Sequence, residues 1–77
     1  MVLPLSHIKP GEHARVVWVA SESLMKQRLL DLGFAPEETL SCVLRSSHGH
    51  MNAYLVRGAV IALRRENANE IFVEILP

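Results

Sequence analysis

The sequence has little of several features that would point directly to a function. It has one cysteine, Cys42, so no internal disulfide can staple the fold, and a reducing compartment is the simpler expectation. No apolar run approaches the ~20 residues of a membrane span. The start, Met1-Val2-Leu3-Pro4-Leu5, lacks a basic leader region and is interrupted by Pro4, so it does not read as a signal peptide. Charge of one sign is also missing: eight Lys and Arg balance eight Asp and Glu, which removes the bulk field that draws proteins to nucleic acid or anionic lipid. With one Trp, one Tyr and two Phe, and Arg64-Arg65 as the only basic doublet, the chain lacks the interleaved cations and aromatics of a nucleic-acid-binding barrel. There is no glycine-rich phosphate loop, no convincing carboxylate pair and no nucleophile with a base, so no catalytic reading is supported.

What is present is apolar content. Hydrophobic residues make up 49% of 77 positions, which suits one small domain over residues 1–77. A chain of this length buries only about 60–65% of its unfolded surface, so it needs a dense core. The expectation is a single cytosolic domain.

One segment has helical periodicity, Ser21 to Pro36. Met25, Leu29 and Leu32 fall at i, i+4 and i+7 on one stripe, flanked by Leu24 and Leu30. Ser21 or Ser23 is expected to cap the start, and Glu22 with Lys26 and Arg28 with Asp31 are expected to pair on the surface. Gly33 is the expected left-handed stop, with Phe34 folding back onto Leu29 and Pro36 preventing resumption.

The remaining segments read as strands and turns. Leu5 and Ile8 suit a single helical turn, ended by Pro10-Gly11. Glu12 to Val19 is β-rich, with the facing of Trp18 left open. Thr39 to Ser46 alternates, with Leu40, Cys42 and Leu44 inward and Ser41, Val43 and Arg45 outward; Cys42 is then a core residue. Ser46 to His50 is a polar loop. A two-residue turn at Arg57-Gly58 pairs Val56 with Ala59, Leu55 with Val60 and Tyr54 with Ile61. In that register Tyr54, Val56, Ile61 and Leu63 face the core and Leu55 and Val60 face away. Arg64 to Asn69 suits one helical turn, and Glu70 to Leu76 a last strand with Ile71, Val73 and Ile75 inward and Phe72 outward. The inventory is mainly β: five short strands, one inserted helix and two helical turns, fitting a small, partly open barrel.

The pieces Leu5…Ile8-Lys9-Pro10-Gly11, Arg28-Leu29-Leu30-Asp31-Leu32-Gly33-Phe34-Ala35-Pro36, Val56-Arg57-Gly58, Ile61-Ala62-Leu63-Arg64, Ala68 and Ile71-Phe72-Val73 together resemble the FeoA family. The resemblance implies an SH3-like small barrel with a helix inserted after the first strand. It implies a non-enzymatic accessory protein of bacterial ferrous iron uptake, with no required cofactor. The implied partner is the membrane transporter FeoB, whose cytosolic portion carries a GTPase domain. Two departures stand out. Pro36-Glu37 replaces the family's usual Pro-Gly, which predicts a type I turn without positive φ. Gly49-His50-Met51 replaces a Gly-Asp-Pro-like loop and introduces imidazoles.

The candidate partner surface comprises Leu55, Val60 and Phe72, with Leu24, Lys26 and Arg28 on the helix and Arg57 at the turn. The bland alternative is that the helix covers one of these faces. His48 and His50 form a His-x-His pair suited to a divalent metal such as iron or zinc. Two ligands do not make a closed site, so a plain polar loop and a ligand set completed across a dimer are the alternatives. A metal-responsive or self-associating module acting through this loop is the competing functional class.

Overall fold

A computed structural model describes all 77 residues. Six strands form one antiparallel sheet: β1 (Val2–Pro4), β2 (His13–Val19), β3 (Thr39–Arg45), β4 (Met51–Val56), β5 (Ala59–Arg64) and β6 (Ile71–Ile75). Their order is β1-β6-β2-β3-β4-β5. A 3-10 turn spans Leu5–His7, α1 spans Ser23–Leu32, and α2 spans Arg65–Ala68. The architecture is the expected mainly β one, with six strands where the sequence predicts five. The additional strand is β1, which pairs only with β6. Pro4 suits that place because it lacks the N–H a two-sided strand would need.

Fifteen buried apolar residues form one core, with Tyr54, Phe34, Leu5, Ile8, Leu29 and Ile71 among the largest. Phe34 meets Tyr54 edge-to-face at a centroid separation of 6.3 Å. The Tyr54 hydroxyl accepts from Asn52 Nδ2 at 3.1 Å and donates to the Leu5 carbonyl at 3.4 Å, tying the hairpin to the 3-10 turn. Ser6 donates to Asn69 Oδ1, which fastens that turn to the end of α2.

The helix ends as its sequence dictates. Gly33 sits at φ +115, its N–H reaches the Leu30 carbonyl at 3.0 Å, and the Phe34 N–H reaches Leu29 at 2.9 Å. That is the Schellman arrangement, and it drives Phe34 into the core. The start differs from expectation. Glu22 is the capping position and makes no side-chain cap; Ser21 Oγ is buried without a partner. The expected Glu22–Lys26 and Arg28–Asp31 pairs do not form, and Gln27 donates to Asp31 at 2.9 Å instead. Along the stripe Leu29 is buried and Met25 half-buried, but Leu32 remains 42% exposed at the helix end.

Two further expectations are corrected. Glu37 has φ +76, and the Glu38 N–H bonds to Ala35 at 3.0 Å, so Ala35–Glu38 is a type II turn rather than type I. The strain is held by flanking bonds: Glu37 donates to the Val16 carbonyl and Val16 donates to the Glu38 carbonyl, both at 2.9 Å. Leu44 faces outward at 60% exposure, because a bulge at Val43 breaks the alternation between Cys42 and Leu44. Ile75 keeps its inward phase opposite Ala14 but lies 43% exposed.

Candidate functional site

The β4–β5 hairpin has the register expected of a two-residue turn, with both Arg57 (φ +52) and Gly58 (φ +79) left-handed. Leu55 and Val60 are therefore directly opposed on the outer face, at 42% and 61% exposure. Along the same face, two residues away on each strand, Ala53 opposes Ala62. The Val43 bulge adds Leu44 opposite Ala53. Without the bulge, alternation would have turned Leu44 into the core. The outer face of β3–β5 thus carries two apolar rows, Leu55–Val60 and Leu44–Ala53–Ala62. Beside Leu55 lies an open hollow of about 540 Å³, lined among others by His13, Ser41, Arg57 and Leu76.

Arg57 links this face to the helix. Its side chain passes close over Gly33, where an added Cβ would lie 3.0 Å from Arg57 Cδ. Its guanidinium reaches Glu38 at 3.9 Å while the side chain stays well exposed. Leu24 projects from the first turn of α1 at 89% exposure, and Lys26 and Arg28 are exposed and make no ion pair.

Phe72 does not join Leu55 and Val60. It sits on β6, separated from β4 by β2 and β3, and stacks on Trp18 at 4.9 Å with an interplanar angle of 12°. Trp18 is half-exposed and Phe72 half-buried. Near the same outer surface Arg15 bonds Glu74 at 2.6 Å, and that bond with its attraction raises the guanidinium pKa further. The residues proposed for one surface therefore occupy three: the outer sheet face, the helix, and the Trp18–Phe72 stack. Sequence reading did not assign Leu44, Ala53 and Ala62 to the outer face. For Ala53 and Ala62 the hairpin register itself carried the signal; for Leu44 nothing did.

The histidine loop is built on Ser46. Its Oγ accepts from the His50 and Met51 N–H groups at 3.1 and 3.2 Å, and its carbonyl accepts from Gly49 at 3.0 Å. The His48 and His50 rings are both exposed, with centroids 6.3 Å apart. They share an open hollow with Arg64, Arg65 and Glu66. No three His, Cys, Asp or Glu residues approach closely enough anywhere to hold a metal ion. Within one chain the pair supplies at most two of the ligands a closed site needs. Cys42, the remaining soft ligand, is buried, and burial raises its thiol pKa. No helix is long and apolar enough to cross a membrane.

Residues 3–75 match the FeoA domain family. The chain belongs to the FeoA family. Similar solved structures agree. The FeoA protein of Chlorobium tepidum is 32% identical, with 97% of this chain and 71% of that one covered, at a TM-score of 0.91. A crystal structure of an iron uptake regulatory protein of the FeoA type is 28% identical, with 99% of each chain covered, at 0.86. FeoA of Stenotrophomonas maltophilia, solved with zinc, is 25% identical, with 94% and 89% covered, at 0.83. That protein is described as a prokaryotic SH3-domain protein suggested to be a ferrous iron transport activating factor. Among curated proteins, none matches the sequence. FeoA membership associates this chain with ferrous iron transport and accounts for its SH3-like fold.

Proposed function

We propose that this FeoA-family chain is a cytoplasmic, non-enzymatic accessory of ferrous iron uptake that docks on the cytosolic, GTPase-bearing portion of the membrane transporter FeoB. The observation that carries the reading is the opposed, exposed Leu55–Val60 pair, set beside a hollow and continued by Leu44, Ala53 and Ala62. Exposed apolar surface of this kind on a small domain is the usual mark of a protein contact. Arg57 at the edge of that face, with Lys26 and Arg28 on the helix, supplies charge for orientation. Leu24 and Phe72 are secondary contact candidates on their own surfaces.

An amide-shift titration of the labelled domain with the soluble GTPase domain of its transporter tests the proposal, in chelator so that metal plays no part. Shifts centred on Leu55, Val60 and Arg57 are expected, and Val60→Ser should weaken binding at least tenfold while leaving the fold intact. A titration that leaves those amides unmoved at saturating partner removes the docking surface.

A second reading rests on the adjacent His48 and His50 rings and on zinc in the Stenotrophomonas relative: a metal-responsive module whose ligands are completed by a second molecule. Added zinc or ferrous iron should then raise the particle size in light scattering. His48→Ala with His50→Ala should abolish the rise.

A further inference from the structure

The sheet has two edges, and only one of them is closed to a further strand. Edge strand β1 is three residues long and contains Pro4, a combination that resists pairing. Edge strand β5 is six residues, Ala-Val-Ile-Ala-Leu-Arg, with no proline and an unbroken register to β4. Its single charge, on Arg64, lies at the strand end. Neither a proline nor a bulge interrupts this edge, and Arg64 is its one charge.

The hydrogen-bond phase of the hairpin fixes which backbone groups are free. In a two-residue hairpin the residues flanking the turn exchange both bonds, so Ala59 is a bonded partner of Val56. Alternation then makes Ile61–Tyr54 and Leu63–Asn52 the next bonded pairs. The same phase continues beyond the strand, where Arg65 N–H bonds the His50 carbonyl at 2.9 Å. The N–H and C=O of Val60 and Ala62 and the N–H of Arg64 therefore point away from β4, and no turn or loop bond reaches them, while the Arg64 carbonyl also caps the first turn of α2. Val60, Ala62 and Arg64 are all exposed.

We propose that β5 pairs antiparallel with β5 of a second copy about a two-fold axis at Ala62. In that register Ala62 faces its own counterpart and Val60 faces Arg64 of the other copy. Ala62 then exchanges both bonds with its counterpart, the Arg64 N–H reaches the Val60 carbonyl of the other copy, and the Val60 N–H reaches the second lone pair of the Arg64 carbonyl. Self-pairing suits this segment for three reasons. Alanine at the axis leaves room where identical side chains meet. Each Arg64 is four residues from its twin along the strand, about 14 Å, so the like charges stay apart. The Leu44–Ala53–Ala62 row becomes continuous across the axis, Val60 gains Arg64 of the other copy as its neighbour, and Leu55 remains open. A single strand pair buries less than the ~1,200 Å² of a stable interface, so the dimer is weak and concentration-dependent.

The experiment is sedimentation of the full chain in chelator, in a concentration series up to the millimolar range, with backbone amide exchange followed by NMR. The weight-average mass should climb from 8.6 kDa towards twice that value. Exchange at Val60, Ala62 and Arg64 should slow with concentration while Ile61 and Leu63 hold constant. Ala62→Lys sets like charges face to face at the axis without touching a bond to β4, and should return the chain to a monomer with an unchanged melting temperature. Ala62→Cys in a Cys42→Ala background should give an oxidised dimer crosslinked at the axis, because bonded antiparallel partners lie about 5.5 Å apart at Cα, within disulfide range. A monomer throughout the series overturns the proposal. So does a dimer that persists in Ala62→Lys, or one that leaves exchange at the three edge amides unaltered.

Discussion

Trp18 lies flat against Phe72 across the β2–β6 pair, 4.9 Å between ring centres and 12° from parallel, although half of the indole remains open to solvent. The two rings form a cross-strand pair at the irregular end of the ladder, just beyond the bulge between Val16 and Trp18. Aromatic pairs of this kind contribute about 0.5–1.5 kcal/mol beyond their buried area. A double-mutant cycle of Trp18→Ala and Phe72→Ala, read by urea unfolding, should return a coupling in that range. The Phe72→Ala chain should also show a red-shifted tryptophan emission. Additive single mutants would mean that the stack contributes nothing.

Leu29 anchors the helix. It is buried, accepts the Phe34 N–H that closes the helix, and belongs to the single core. Leu29→Ala should cost about 2–5 kcal/mol by opening a cavity. Total stability of small domains is about 5–15 kcal/mol, so a large fraction of the folded population is at risk. Chemical denaturation checks this. A loss below about 1 kcal/mol would contradict the packing, since deletions at well-packed sites cost more.

Gly33 and Glu37 both hold positive φ, +115 and +76, but only one of them is a glycine. Glu37→Gly should stabilise the chain by about 1 kcal/mol, because the left-handed strain of an L-residue is relieved. Gly33→Ala should destabilise it by at least about 1 kcal/mol, since it adds the same strain and presses a Cβ to 3.0 Å from Arg57 Cδ. Opposite signs at the two positions are the expected result of paired melts.

Cys42 and Tyr54 both have pKa values raised by burial, from ordinary values of 9.0 and 10.0. The folded state holds these protons more tightly than the unfolded state does. Their contribution is therefore complete below the unfolded values and is lost as pH rises past each in turn. Stability should be flat with respect to both groups through neutral pH and fall from about pH 9 upwards. Native Cys42 should react with a thiol reagent at pH 8 only at the rate of structural opening. Labelling at the rate of a free thiol would show the site open.

Much of this fold is legible locally. Gly33 followed by Phe34 specifies the end of the helix, and Arg57-Gly58 between two alternating segments specifies a hairpin register that places Leu55 opposite Val60. What is not legible depends on partners remote in sequence. The bulge at Val43 leaves composition and local propensity unchanged, so strict alternation sends Leu44 the wrong way. Glu37 accepts a glycine conformation because two bonds to Val16, twenty-one residues earlier, hold it there. Strand β1 is too short to announce itself and exists because β6 offers an edge. The outer-face pair was thus readable, but the wider apolar surface was not, since Leu44 reaches it only through the bulge.

The strand β6 lies between β1 and β2 in the sheet, although sixty-six residues separate Pro4 from Ile71. Until Ile71–Ile75 is in place, β1 has no partner strand and β2 has only β3. The β3–β5 meander can form from sequence-local pairings and take on β2 through β3, while Leu5 and Ile8 wait in water. Assembly of this domain is therefore a closing event: the segment ahead of β2 stays available to proteases and chaperones until β6 docks beside β2 and captures β1.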